Sequence, residues 1–169
     1  VATPGDMGLA FEDVWLTTSD GVRLHGWFVP GEGEVTWLWM HGNAGNISHR
    51  VENLVLLHQE LGVKVFIFDY RGYGLSQGTP SEEGIYQDAQ AALAYLRTRQ
   101  DLNPDRIVYF GRSLGAAVAV ELALRHRPWG LILESPITSL EAMARIHYPW
   151  FAASPLLRAK YDTLVKIAK

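Results

Sequence analysis

Four stretches of the chain are almost wholly apolar: VTWLWM at 35–40, VKVFIFD at 63–69, IVYFG at 107–111 and LILE at 131–134. Runs without alternation predict strands covered on both faces, as a parallel sheet requires. Ahead of them, VWLTTSDGVRLHGWFVP alternates apolar and polar residues on either side of Asp20-Gly21, which predicts an antiparallel hairpin. Between the runs the apolar period lengthens to that of a helix. Val51, Leu54, Val55 and His58 share one stripe over 48–61, and Ile85, Ala89, Ala92, Leu93 and Leu96 another over 80–99. Thr79-Pro80-Ser81-Glu82 reads as a capping box with proline at the first helical position. Strands alternating with helices predict βαβ units: a mostly parallel sheet opened by an antiparallel hairpin, with helices on both faces, in the α/β class.

One junction in this pattern carries candidate chemistry. In IVYFGRSLGAAVAVELALRH the strand ends at Gly111 and helix formers begin at Leu114, with Arg125, His126, Arg127 and then Pro128 as a stop signal. Ser113 therefore sits on a sharp strand-to-helix reversal. Such a bend crowds its neighbours, so both flanks need to lack side chains, and Gly111 and Gly115 supply that. The hydroxyl is presented at the carboxyl edge of the sheet, beside the unpaired N–H groups of a helix start. A tight turn that happens to contain a serine is the plainer alternative.

Composition bounds what such a serine would act on. At 169 residues with 48% hydrophobic content, the chain is read as a single domain over 1–169, with 140–169 as candidate cap or connecting helices. A net charge of −3 with interspersed signs predicts no nucleic-acid partner. The absence of cysteine removes disulfides and thiolate sites, and the six histidines show no metal-binding spacing, so neither metal nor cofactor is expected. No apolar run reaches the roughly 18 residues of a membrane span. Location stays open between the cytoplasm and a membrane reached through a segment upstream of Val1.

The other post-strand loops are read as walls of a site, since ligands gather beyond the carboxyl ends of parallel strands. In HGNAGN, Gly42 and Gly45 let backbone approach a ligand, and the Asn43 N–H is a candidate oxyanion donor; a glycine turn into a helix is the alternative. FDYRGYGLSQG carries Gly72, Gly74 and Gly78, but not at the spacing of a dinucleotide loop, and Asp69 and Arg71 are expected to make structural ion pairs or loop hydrogen bonds. ESPITS places Glu134 where a carboxylate would orient a histidine, or cap a helix.

In this order and at these separations, HGNAGN, FDYRGYGLSQG, GRSLG and ESPITSL resemble the α/β-hydrolase superfamily, and within it the branch of serine-aminopeptidase-like hydrolases, α/β-hydrolase-domain proteins and acyl-protein thioesterases. FEDVWLTTSDGVRLHGWFVP is similar to that branch's first hairpin, so the likeness covers nearly the whole chain. The resemblance implies Ser113 as nucleophile, the N–H groups of Asn43 and Leu114 as the oxyanion hole, and His41 as a structural loop residue. It also implies a triad running serine, acid, histidine, with the last two on loops after further strands. Those strands are not in the sequence: LEAMARIHYPWFAASPLLRAKYDTLVKIAK reads as helix and loop, with a last helix from Ser154-Pro155. The chain is accordingly expected to be the N-terminal part of a longer hydrolase, or a shortened member.

His147 is the local candidate for a base, and a partly buried histidine among aromatics is the plainer reading. His25, His49, His58 and His126 fall on strand or helix faces, and Asp162 in the last helical pattern. Two functions follow. One is a serine hydrolase of ester, thioester or amide bonds, with a small-molecule, acyl or peptidyl substrate and an acyl-enzyme on Ser113. The other is a non-catalytic module that dimerises or binds a partner through an open sheet edge at LILE.

Overall fold

A computed structural model describes residues 2–137, 139 and 161–167. Six strands form one sheet: β1 (Glu12–Thr17), β2 (Arg23–Val29), β3 (Thr36–Met40), β4 (Lys64–Phe68), β5 (Ile107–Arg112) and β6 (Gly130–Glu134). Their spatial order is β1-β2-β4-β3-β5-β6. β1 pairs antiparallel with β2, and β2 antiparallel with β4; the β4-β3-β5-β6 half is parallel throughout. Both predicted parts of the sheet are therefore present, but the hairpin does not stand apart. β2 is an interior strand, which is why six consecutive residues from Leu24 to Val29 are buried where alternation alone predicts a half-exposed one.

Helices cover both faces. On one lies α1 (Val51–Leu61), whose Val51 and Leu54 pack with Trp27, Val29, Trp39, Val65, Ile67 and Phe110. On the other lie α2 (Glu82–Thr98) and α3 (Leu114–Arg125), whose apolar stripes meet Leu24, Phe28, Leu38, Phe66 and Tyr109. A short α4 (Thr163–Ile167) docks on α3, where the Lys166 ammonium lies 2.6 Å from the Glu121 carboxylate.

Two helix starts differ from the sequence pattern. The first turn of the 48–61 stripe is a 3-10 turn, Ile47–Arg50, capped by the Asn46 side chain, and the α-helix begins only at Val51. At α2 the cap is Ser81, whose hydroxyl accepts from the Gly84 N–H; Thr79 and Pro80 lie outside the helix, so the capping box centred on Thr79 is not the one used. The start proposed for the last helix, Ser154-Pro155, lies outside the described residues, as does His147.

Candidate functional site

β5 runs straight into α3 through Ser113, which holds φ 54° and ψ −113°. A non-glycine residue in that region is strained by about 1–3 kcal/mol and persists only where its surroundings over-determine it. They do so here. A Cβ at Gly115 would overlap the Met40 carbonyl oxygen, and one at Gly111 would overlap the Gly115 carbonyl, so the bend closes only with glycine at both places. The Ser113 N–H donates to the Glu134 carbonyl at 3.0 Å, which ties the bend to the end of β6.

The loop after β3 lies against this bend. A Cβ on Gly42 would stand 3.4 Å from the Arg112 carbonyl oxygen and 3.5 Å from the Ser113 Cβ, an ordinary contact distance. Gly42 thus marks how close the loop comes, but the bend does not demand glycine there. Asn43, Ser113 and Leu114 together line a cavity of about 240 Å³ with Tyr73, Pro80, Ser81, Glu82, Ile85, Ile137 and Tyr161. Among the described residues neither the Asn43 nor the Leu114 backbone N–H donates a hydrogen bond, the second because it opens a helix.

His41 is fully buried behind this loop. A carbonyl only accepts, so the imidazole Nδ1 donates to Gly42 O, at 2.7 Å. Its Nε2 lies 3.2 Å from Asp69 Oδ1, out of line for a hydrogen bond, and that carboxylate oxygen accepts from the Ile47 N–H at 3.0 Å. His41 thus packs behind the loop and is not among the described walls of the cavity.

The loop after β4 completes the support. The Tyr70 hydroxyl donates to the His41 carbonyl at 2.8 Å, and the Tyr73 hydroxyl to Asn43 Oδ1 at 2.5 Å. Burial pushes both phenols above their ordinary pKa, most strongly at Tyr70, so both stay protonated donors through the neutral range. Sequence reasoning missed these two tyrosines. The signal was available as two hydroxyls in DYRGY, directly after a strand.

Asp69 and Arg71 do not pair with each other. Arg71 reaches the other way, with Nη1 2.7 Å from Asp20 Oδ2 on the hairpin turn and Nε 2.9 Å from Asp88 Oδ1 on α2. Hydrogen bonding to Arg71 holds the Asp20 carboxyl down at about 2. The glycine loop is closed by its own backbone, with Gly72 N donating to Gln77 O and Ser76 N to Tyr73 O.

Glu134 ends β6 exposed, with its carboxylate 3.4 Å from Arg112 Nε and, among the described residues, on no histidine. Among the described residues no histidine lines the cavity at Ser113. His25 is buried on the α1 face, where Nε2 lies 2.7 Å from Asp13 Oδ1, while His126 caps the end of α3.

The family described as serine aminopeptidase, S33 matches residues 35–167. The chain belongs to that family of α/β hydrolases. An uncharacterized protein of Mycobacterium tuberculosis is 48% identical over 94% of this chain and 57% of its own length. The α/β hydrolase domain-containing protein WAV2 of Arabidopsis thaliana is 47% identical over 88% of this chain and 51% of its own length. The chain thus spans about half the length of these relatives. Among solved structures, a Pyrococcus furiosus esterase superposes with a TM-score of 0.76 at 26% identity, over 92% of this chain and 64% of the esterase. An α/β hydrolase from Vibrio vulnificus shares the fold, at a TM-score of 0.78 and 24% identity, over 94% of this chain and 59% of that one.

Proposed function

We propose that the chain carries the nucleophile and the oxyanion site of a serine hydrolase acting on ester, thioester or amide bonds. The observation that carries this reading is the backbone of Ser113, a strained serine between two obligatory glycines, lining a cavity with Asn43 and Leu114, whose N–H groups have no partner among the described residues. Strain of this kind is maintained where it serves a site.

In the reaction Ser113 Oγ attacks the carbonyl carbon of the substrate and its proton passes to a general base. The carbonyl π electrons move onto oxygen, which accepts from the Asn43 and Leu114 N–H groups. Collapse of the tetrahedral adduct expels the alcohol, thiol or amine with a proton from the conjugate acid, leaving an acyl-serine that water hydrolyses by the same steps. The base is proposed to lie beyond the described walls of the cavity, none of which is a histidine.

A second reading, a non-catalytic module, is favoured by one observation. β6 exposes Leu131 and Ile132 at 37% and 40%, so its outer border is open to a partner strand among the described residues.

A fluorophosphonate probe separates the two. Stoichiometric labelling of the natural gene product, lost in Ser113→Ala, supports the hydrolase. No labelling, with dimerisation that rises with concentration, supports the module.

A further inference from the structure

The geometry points to Tyr73 as a positioning residue that sets the oxyanion amide of Asn43 through a hydrogen bond to that residue's side chain. This rests on the reading of Ser113 as nucleophile. It begins from an imbalance within one loop. His41 is held by Tyr70 at its carbonyl and by its own Nδ1 bond to Gly42, and Ile47 is held by Asp69. Asn43, between them, is exposed, and among the described residues its one hydrogen bond is the 2.5 Å contact from the Tyr73 hydroxyl.

A donor intended for a developing oxyanion has to be fixed before the charge appears, because reorganisation at that moment costs rate. The backbone N–H of an exposed loop residue is not fixed by packing. Here the side chain does it: Asn43 Oδ1 is drawn to Tyr73, and the ring of Tyr73 is itself locked edge-on against His41 and Tyr70, each with centroids 5.7 Å away. The Tyr73 N–H also donates to the Tyr70 carbonyl at 2.9 Å, so the phenol stands on a closed turn. The hydroxyl of Tyr73 is thus a rigid peg from the loop after β4, set into the loop after β3. Phenylalanine at 73 keeps the ring and the turn and removes only the peg. Alanine at 43 keeps the backbone N–H and removes only the socket.

The test is a double-mutant cycle in the natural gene product, with p-nitrophenyl butyrate hydrolysis, thermal unfolding and amide exchange of Asn43 as readouts. Tyr73→Phe and Asn43→Ala are each expected to lower kcat about tenfold, less than the hundredfold or more of losing a donor outright. KM should stay within about twofold and the midpoint of unfolding should hold, because a ground-state or purely structural contact would move those instead. The double variant should be no slower than either single one, since each removes the same interaction. A wild-type kcat in Tyr73→Phe, or a double loss equal to the product of the two, overturns the proposal. If Ser113 proves unreactive the nucleophile reading fails, and exchange decides the peg alone: roughly tenfold faster Asn43 exchange in Tyr73→Phe supports it, and unchanged exchange overturns it.

Discussion

β1 and β6 both border the six-stranded sheet, yet β1 alternates buried Val14 and Leu16 with exposed Glu12, Asp13, Trp15 and Thr17, while β6 carries adjacent exposed Leu131 and Ile132. The outward groups of β1 are also occupied. Glu12 receives a two-pronged bond from Arg99 at 2.7 and 2.8 Å, and Asp13 accepts from Trp27 Nε1 at 3.1 Å beside His25. Charge on an outer strand is how natural sheets discourage further pairing. β6 has none before Glu134, and its sequence is that of an interior strand. Among the described residues one border is finished by paired charges, and the other carries exposed apolar side chains. The candidate site lies on the second side, at the β5-α3 bend whose Ser113 N–H is tied to β6.

The largest expected effect falls on the finished side. Arg71 fastens the hairpin turn to α2 through Asp20 and the fully buried Asp88, so Arg71→Met strands a buried carboxylate. Breaking such a pair costs about 3–5 kcal/mol, read as a lower urea midpoint with an unchanged slope. A loss under about 1 kcal/mol would mean that the hairpin is held by packing alone.

The same two regions show how far the sequence could be read. The apolar runs marked every parallel strand: in β3, β4 and β5 burial on both faces leaves a composition signature in four or five consecutive residues, and β6 carries the same signature while exposed among the described residues. The Ser113 bend was legible for a similar reason, since Gly111 and Gly115 are close in the chain to the serine they serve. What was not legible joins residues far apart. Tyr73 and Asn43 are separated by 30 positions, and Arg71 and Asp20 by 51. Neither pairing is implied until the strand order puts β4 between β2 and β3. The interior place of β2 was missed for the same cause, and the Ser81 cap because two nearby hydroxyl residues competed for one role.

Acid should weaken the clamp on the hairpin turn. Asp20 titrates at about 2 in the folded protein against an ordinary 3.8, so its contribution is complete above pH 3.8 and is lost as pH falls through about 2. Urea midpoints of the wild type and of Asp20→Asn should differ at pH 5 and converge toward pH 2. Curves that stay parallel to pH 2 would remove Asp20 from the clamp.

Smaller effects sharpen the contrast. Glu12→Gln weakens a partly exposed pair and should cost no more than about 1 kcal/mol. Ile132→Lys should change stability by less still, about 0.5 kcal/mol, because the side chain already meets solvent. Its effect belongs in association: sedimentation should show less dimer for this variant than for the wild-type chain. Equal dimerisation would mean that the β6 border is not sticky.

The central claim, that Ser113 faces amide donors from two separate loops, is tested most directly by a crystal structure of the natural gene product after reaction with a fluorophosphonate. The expected adduct has phosphorus bonded to Ser113 Oγ, with the phosphoryl oxygen about 2.7–3.1 Å from the Asn43 and Leu114 nitrogens. An adduct on another residue, or a phosphoryl oxygen turned to solvent away from both amides, would contradict it.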